Sequence, residues 1–340
     1  MVLQNKEEEL LAAWRALAGN LVTEGWRTIP IAYGGPRRLL AGRHFPGNEE
    51  ALLVGFASVR LPPNEQLPQG QGFIVSRATL DEDGADRIWI SLRRQSAGSL
   101  DLFTMMAEDV VSILERFSNA DEERLFHLFL ARIKAWQDFM RRGGDCVLGP
   151  EMEVGLFGEL EILRDIISVG LPAPVAVEAW QGPLDGIQDF MLGAGAIEVK
   201  STASPSGFPA AVGSLDQLDD SLTRPIFLTG VRLAIAASGR TLPEQVGELR
   251  NLMRDEFTAL GILDGRLLHA GFLDAAAERY TRRFLRTGSK TFQISDGFPR
   301  LTRANVAIEI RRARYEIDLD LISTVDVGIE HALRELGVIH

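Results

Sequence analysis

The sequence predicts an α/β (α+β) chain in two parts. Short apolar runs separated by Pro- and Gly-rich turns fill residues 26–92. Two amphipathic helical stretches follow them, and from Pro150 onward helix and strand patterns alternate. The boundary falls at Arg141-Arg-Gly-Gly-Asp145, where two glycines end a helix. It gives an N-terminal β-rich accessory domain closed by helices over 1–145 and a second domain over 146–340.

Taken in order, Glu7–Leu17 predicts a helix, with Leu10, Leu11, Trp14 and Leu17 at helical spacing. Strands are predicted at Trp26–Tyr33, Ala51–Phe56, Gly72–Val75 and Arg87–Leu92, with turns at Gly34-Gly-Pro36 and Leu61-Pro-Pro-Asn64. Asp101–Phe117 and Asp121–Arg141 predict helices, the second capped by Asp121. A helix then carries Gly155-Leu-Phe-Gly-Glu159-Leu-Glu161. Asp189–Leu192, a turn at Gly193-Ala-Gly195, and Ala196–Lys200 have the form of a β-hairpin. Pro225–Ala236 predicts one or two buried strands, and Pro243 opens a helix through Glu244–Leu260.

The bulk numbers narrow the class. A chain of 340 residues with 46% apolar and 24% charged residues is an ordinary globular protein. One cysteine, Cys146, excludes an internal disulfide framework and any multi-cysteine zinc site. No signal peptide and no run near the ~20 residues of a membrane span is present, so the expected location is cytoplasmic. A net charge of −11 argues against a protein that coats nucleic acid, but leaves room for a local basic face.

The chemistry-bearing stretch is Glu151–Thr202. Between Pro150 and Lys200 there are nine Asp and Glu against Arg164 and Lys200. On the helix, Leu156, Leu160, Leu163, Ile166 and Ile167 share one arc, and Glu159 lies on it. A carboxylate there is costly unless paired or bound to a cation, so Glu159 reads either as a metal ligand or as a buried ion pair. Glu161 and Asp165 fall off the arc and are expected on a solvated face. Along the second hairpin strand the two-residue period puts Glu198 and Lys200 on one face. Asp189, across the turn, can then bring its carboxylate beside Glu198. Such a set suits Mg²⁺, which takes oxygen ligands and can activate water against a phosphate, while the ammonium steadies the attacking hydroxide. The spacing alone is a weak signal.

Those residues resemble the PD-(D/E)XK nuclease superfamily, and more closely a bacterial family of PD-(D/E)XK motif proteins. The motifs, in order, are Leu67-Pro-Gln-Gly-Gln-Gly-Phe73, Gly155-Leu-Phe-Gly-Glu159, Trp180-Gln-Gly-Pro183, Gln188-Asp-Phe190, Ile197-Glu-Val-Lys-Ser-Thr202, Ser214-Leu-Asp-Gln-Leu218, Phe298-Pro-Arg-Leu301 and Arg314-Tyr-Glu-Ile-Asp-Leu319. The resemblance implies a restriction-endonuclease-like core, a mixed central sheet flanked by helices. It implies Asp189 and Glu198 as metal ligands, Lys200 as the catalytic lysine, Glu159 as a further acid of the site, and Mg²⁺, or Mn²⁺ in its place, as cofactor. Gln217, expected on a helix after the site strands, resembles a polar residue near the metal or the DNA backbone. Gln188 stands where the family pattern has proline. Pro183-Leu-Asp185 is a rival for the motif, but Gly186 follows Asp185, whereas Phe190-Met-Leu continues Asp189 as a strand.

From Arg279 to Arg314 ten basic residues face only Asp296 and Glu309. Arg279, Arg282, Arg283, Arg286 and Lys290 are therefore candidate DNA contacts, the alternative being surface arginines paired with the acidic remainder. Gly288-Ser-Lys-Thr291 lacks the glycines of a phosphate loop. His44, His127, His269, His331 and His340 are scattered, without metal spacing. The function expected is a metal-dependent DNA endonuclease of restriction or phage-defence type, acting as a homodimer or with other subunits of such a system. The alternatives are a DNA-binding or scaffolding subunit inactive alone and, more remotely, an RNA nuclease.

Overall fold

The computed structural model of the chain describes residues 6–19, 24–31, 38–63, 67–70, 72–80, 87–118, 120–141, 147–184, 186–221 and 223–339. The turn at Gly34-Gly-Pro36, the strand end at Ala32 and Tyr33, Asn64, Gln71, the glycines at 143–144, Cys146, Asp185 and His340 lie outside the described residues. The chain divides into two compact units, Met1–Gly144 and Asp145–His340. Among the described residues no helix is long and apolar enough to cross a membrane.

The first unit runs α1 (Lys6–Leu17), β1 (Gly25–Pro30), β2 (Arg38–Phe45), β3 (Glu49–Phe56), β4 (Phe73–Ala78), β5 (Ile88–Arg94), α2 (Leu100–Arg116) and α3 (Glu122–Arg141). Its strands form one antiparallel sheet in the order β1-β2-β3-β5-β4. The sequence pattern does not predict β2. Its Leu39, Leu40 and Ala41 are all buried, so it lacks the alternation that marks a one-faced strand. Arg43 is tolerated in the strand because Glu50 Oε1 lies 2.8 Å from its guanidinium and the Trp14 carbonyl accepts its Nε at 2.7 Å. Trp14 ties α1 to the sheet, donating to the Ala51 carbonyl at 2.8 Å. Asp121 caps α3, accepting from the Arg124 amide at 2.8 Å. Asp109 on α2 accepts from Arg132 and Trp136 on α3 at 2.5 and 2.6 Å, which satisfies an otherwise costly buried guanidinium.

The second unit contains α4 (Pro150–Ser168), α5 (Ala173–Ala179), β6 (Phe190–Leu192), β7 (Gly195–Thr202), β8 (Pro209–Val212), β9 (Ile226–Arg240), α6 (Leu242–Leu252), α7 (Phe257–Ala270), β10 (Phe284–Gln293), β11 (Tyr315–Asp318) and α8 (Gly328–Glu335). A mixed sheet runs β10-β9-β7-β6: β7 lies parallel to β9, and the outer pairs are antiparallel. β8 and β11 form a small second sheet. One apolar cluster joins Ala196, Leu228 and Phe292 of the main sheet to Ala210, Val212 and Ile317 of the small one and to the flanking Phe208 and Leu319. α4 packs on β7 and approaches it closely at Gly158, where a Cβ would lie 1.7 Å from Ser201 Oγ. This is the α+β architecture expected of a restriction-endonuclease-like core.

Four expectations meet a different structure. The predicted Glu244–Leu260 helix is two helices, α6 and α7, because Met253 turns into the core and the exposed Arg254-Asp-Glu256 breaks the apolar stripe. α6 opens on a capping box in which Thr241 and Glu244 satisfy each other's amides, with Pro243 in its first turn. Gln217 lies on a turn after β8, not on a helix. Glu161 is wholly buried rather than solvated. Its oxygens meet Arg164 at 2.6 Å, Arg240 at 2.7 Å and Arg286 at 3.7 Å, and these guanidiniums hold the charge away from water. Asp165, also expected in water, is half-buried against Arg286 at 2.5 Å.

Candidate active site

The site forms where β7 has an open edge. β6 pairs with β7 only from Phe190–Ile197 to Leu192–Gly195. One step beyond that register Asp189 stands opposite Glu198, and the Val199 amide donates to Asp189 Oδ2 at 2.7 Å. The loop before β6 completes the wall. The amides of Gln181 and Gly182 donate to the Asp189 carbonyl at 2.7 and 3.1 Å. Trp180, buried, donates its indole N–H to Glu159 Oε2 at 2.7 Å. Glu159 reaches this edge from α4, immediately after the close approach at Gly158.

The side chains of Glu159, Asp189, Glu198 and Lys200 are therefore brought together. Lys200 Nζ lies 2.6 Å from Glu198 Oε1 and 3.4 Å from Gln217 Oε1. Gln217 is held by its own turn, since the same oxygen accepts from the Gly213 amide at 2.7 Å. Gln188, in the place of the family's proline, is buried and donates to the Gln217 carbonyl at 3.3 Å, so it braces the Gln217 turn against the hairpin.

Burial raises the Glu159 carboxyl to about 8, with Asp189 adding to the rise and the Trp180 bond and Lys200 opposing it. Burial also raises Asp189, against the pull of Lys200 and the Val199 amide. Glu198 is pushed well above the usual range by burial and then by Asp189, partly offset by Lys200. For Lys200, burial opposes the charge, but Glu198 and Asp189 outweigh it and hold the ammonium above its ordinary value. Three carboxyls that share too little positive charge are what a cation would relieve.

Among the described residues no trio of His, Cys, Asp or Glu side chains converges as a ready-made metal shell. The donor set nonetheless fits a hard divalent ion that keeps part of its water. All its donors are carboxylate oxygens. Both oxygens of Glu198 are buried without a directed hydrogen bond. Asp189 Oδ1 and Glu159 Oε2 flank an opening over Gly182, where a Cβ would lie 2.7 Å from each. Trp180 and Gly182 received no role from the sequence alone. Their signal was a glycine set between a tryptophan and a proline, whose use depends on the loop folding back over α4.

The basic stretch is placed differently. Arg282 pairs with Glu153, Nε to Oε2 at 2.9 Å, and lies over the Phe284 ring. Arg283 pairs with Glu244 at 2.8 Å, Arg286 with Asp165 at 2.5 Å, and Lys290 with Asp320 at 2.8 Å. Arg279 is exposed. Four of these five cations are thus engaged by carboxylates of their own unit.

A family model described as "Putative PD-(D/E)XK family member, (DUF4420)" matches residues 10–320. No curated protein and no solved structure matches the chain.

Proposed function

The chain belongs to the PD-(D/E)XK family, and from that membership and the site geometry we propose that it is a divalent-metal-dependent DNA endonuclease of restriction or phage-defence type. The observation that carries the reading is the meeting of Asp189, Glu198 and Lys200 at the open edge of β7, with Glu159 beside them. Asp189, Glu198 and Glu159 would hold Mg²⁺, or Mn²⁺ in its place. When bound, such an ion lowers the pKa of a coordinated water and neutralises charge on the phosphoryl oxygens.

The chain's own residues supply the rest. Lys200 stays charged between Glu198 and Gln217, so it presents a fixed ammonium to the attacking water and to the charge on the phosphoryl oxygens. Gln217 positions that ammonium from a turn pinned by Gly213 and Gln188. Trp180 orients Glu159 and shields it from bulk water. Cutting both strands of a duplex calls for two such sites, which a homodimer or a second subunit of a defence complex provides. The setting proposed is the cytoplasm.

The test combines calorimetric titration with Mg²⁺ and Mn²⁺ and plasmid nicking by wild type, Asp189→Asn and Glu198→Gln. Binding and nicking in wild type, both lost in the variants, are expected. A folded wild type that binds neither ion would leave the acidic cluster as structure and point to a scaffolding role.

A further inference from the structure

The basic stretch from Arg279 to Arg314 splits into two kinds of residue. Arg282, Arg283, Arg286 and Lys290 are consumed by ion pairs, as described. Arg311, Arg312 and Arg314 are exposed and, among the described residues, have neither a hydrogen bond nor an ion pair. They sit in the loop that joins β10 to β11, where Glu309 is the only acid between Leu301 and Arg314. In this loop Ile308 is 93% exposed, with Ile310 two residues on at 46%.

The loop is anchored, and its anchor is the active site. The Tyr315 hydroxyl accepts from the Leu301 amide at 3.1 Å and donates to the Leu301 carbonyl at 3.4 Å, so the two ends of the loop are pinched together. Arg300, largely buried, donates to the Leu218 carbonyl at 2.6 Å and to Asp220 at 2.8 Å. Arg303 forks onto both oxygens of Asp216, at 2.7 and 3.1 Å. Asp216 and Leu218 flank Gln217, the residue that meets the Lys200 ammonium. The loop therefore stands on the turn that positions Lys200, and carries its unpaired guanidiniums out from there.

Surface arginines in an acidic protein ordinarily find carboxylates, as their neighbours on β10 do. Three that remain unpaired within four residues, on a braced loop at the site, are arranged for an external anion. A guanidinium fork matches a phosphate through paired N–H groups. Ile308, nearly bare three residues before Arg311, suits the apolar contact that groove-binding proteins make with bases.

We propose that the loop 301–314 is a clamp for duplex DNA, with Arg311, Arg312 and Arg314 on backbone phosphates and Ile308 entering a groove. This deepens the nuclease reading and rests on it. The clamp orients the duplex; sequence information would come from elsewhere, because phosphate contacts carry none directly.

The experiment is fluorescence anisotropy with a labelled duplex, in EDTA and again with Ca²⁺, across a range of salt. It compares wild type, the triple variant Arg311→Gln/Arg312→Gln/Arg314→Gln, Ile308→Ser, and Lys200→Met. The same preparations are run in a plasmid-nicking assay with Mg²⁺. The triple variant should bind at least about ten-fold more weakly, and its log K against log salt slope should flatten by about 2.7, at about 0.9 per phosphate contact. Ile308→Ser should weaken binding without changing the slope, and Lys200→Met should lose nicking. A triple variant that binds with wild-type affinity and slope overturns the clamp; if wild type still nicks, the nuclease reading survives it. A triple variant that binds weakly, in a protein that never nicks, keeps the clamp and removes the nuclease. A wild type that binds no duplex, or prefers single strands, overturns the clamp.

Discussion

Glu159→Gln should make the metal-free protein more stable while impairing its site. The carboxyl is raised from 4.5 to about 8, chiefly by burial and then by Asp189. Its folded form therefore holds a proton that the unfolded chain has already lost. Below pH 4.5 both states are protonated and the group contributes nothing to the pH dependence. As pH rises from 4.5 toward 8 the unfolded state is progressively favoured, at about 1.4 kcal/mol per pH unit. At pH 7 the cost to wild type is on the order of 3 kcal/mol, and it levels off above pH 8. Glutamine keeps the oxygen that accepts from Trp180 and has no charge to desolvate. Urea unfolding in EDTA at pH 5, 7 and 8.5 should thus show a variant near wild type at pH 5, and more stable by roughly 1–3 kcal/mol at pH 7 and above. Its affinity for Mn²⁺ should fall in the same preparation. A variant that is equally stable or less stable at pH 8.5 would mean that Glu159 is ionised and well paired in the fold, and the reasoning from burial would be refuted.

Three further outcomes are expected. Gly182→Ala places a methyl 2.7 Å from both Asp189 Oδ1 and Glu159 Oε2, so it should abolish metal binding and nicking for about 1–3 kcal/mol of stability; undiminished affinity by calorimetry would show that no ion enters there. Binding of Mg²⁺ near pH 6.5 should release protons, because the carboxyls are held above their ordinary range; identical binding heats in two buffers of different ionisation enthalpy would count against this. Glu161→Gln strips the charge that Arg164 and Arg240 surround, so it should destabilise by about 3–5 kcal/mol while leaving the metal stoichiometry measured by calorimetry unchanged.

Local periodicity was enough for much of this chain. The helical spacing of Leu10, Trp14 and Leu17, the cap at Asp121, and the Gly193-Ala-Gly turn between two strands are written within a few residues of one another. The facing of Glu198 and Lys200 is of the same kind: it follows from the strand's two-residue period, and their side chains meet at 2.6 Å. What periodicity could not report was set by distant partners. β2 is buried on both faces, so its pattern does not alternate. Glu161 sits at a position that a helical wheel assigns to water, but Arg240 and Arg286 arrive from β9 and β10 and enclose it. Arg282, Arg283 and Arg286 read as one basic surface with Arg311, Arg312 and Arg314, because sequence shows charges and not their partners. Which guanidiniums are already neutralised is decided by carboxylates up to 129 residues away in the chain. Gly182 and Trp180 belong to the same class: a glycine's missing Cβ has meaning only once Glu159 and Asp189 face it from two other elements. Near-neighbour chemistry therefore determined the elements and the residue types of the site, while the tertiary fold decided which charges are spent on holding the protein together and which remain for a ligand.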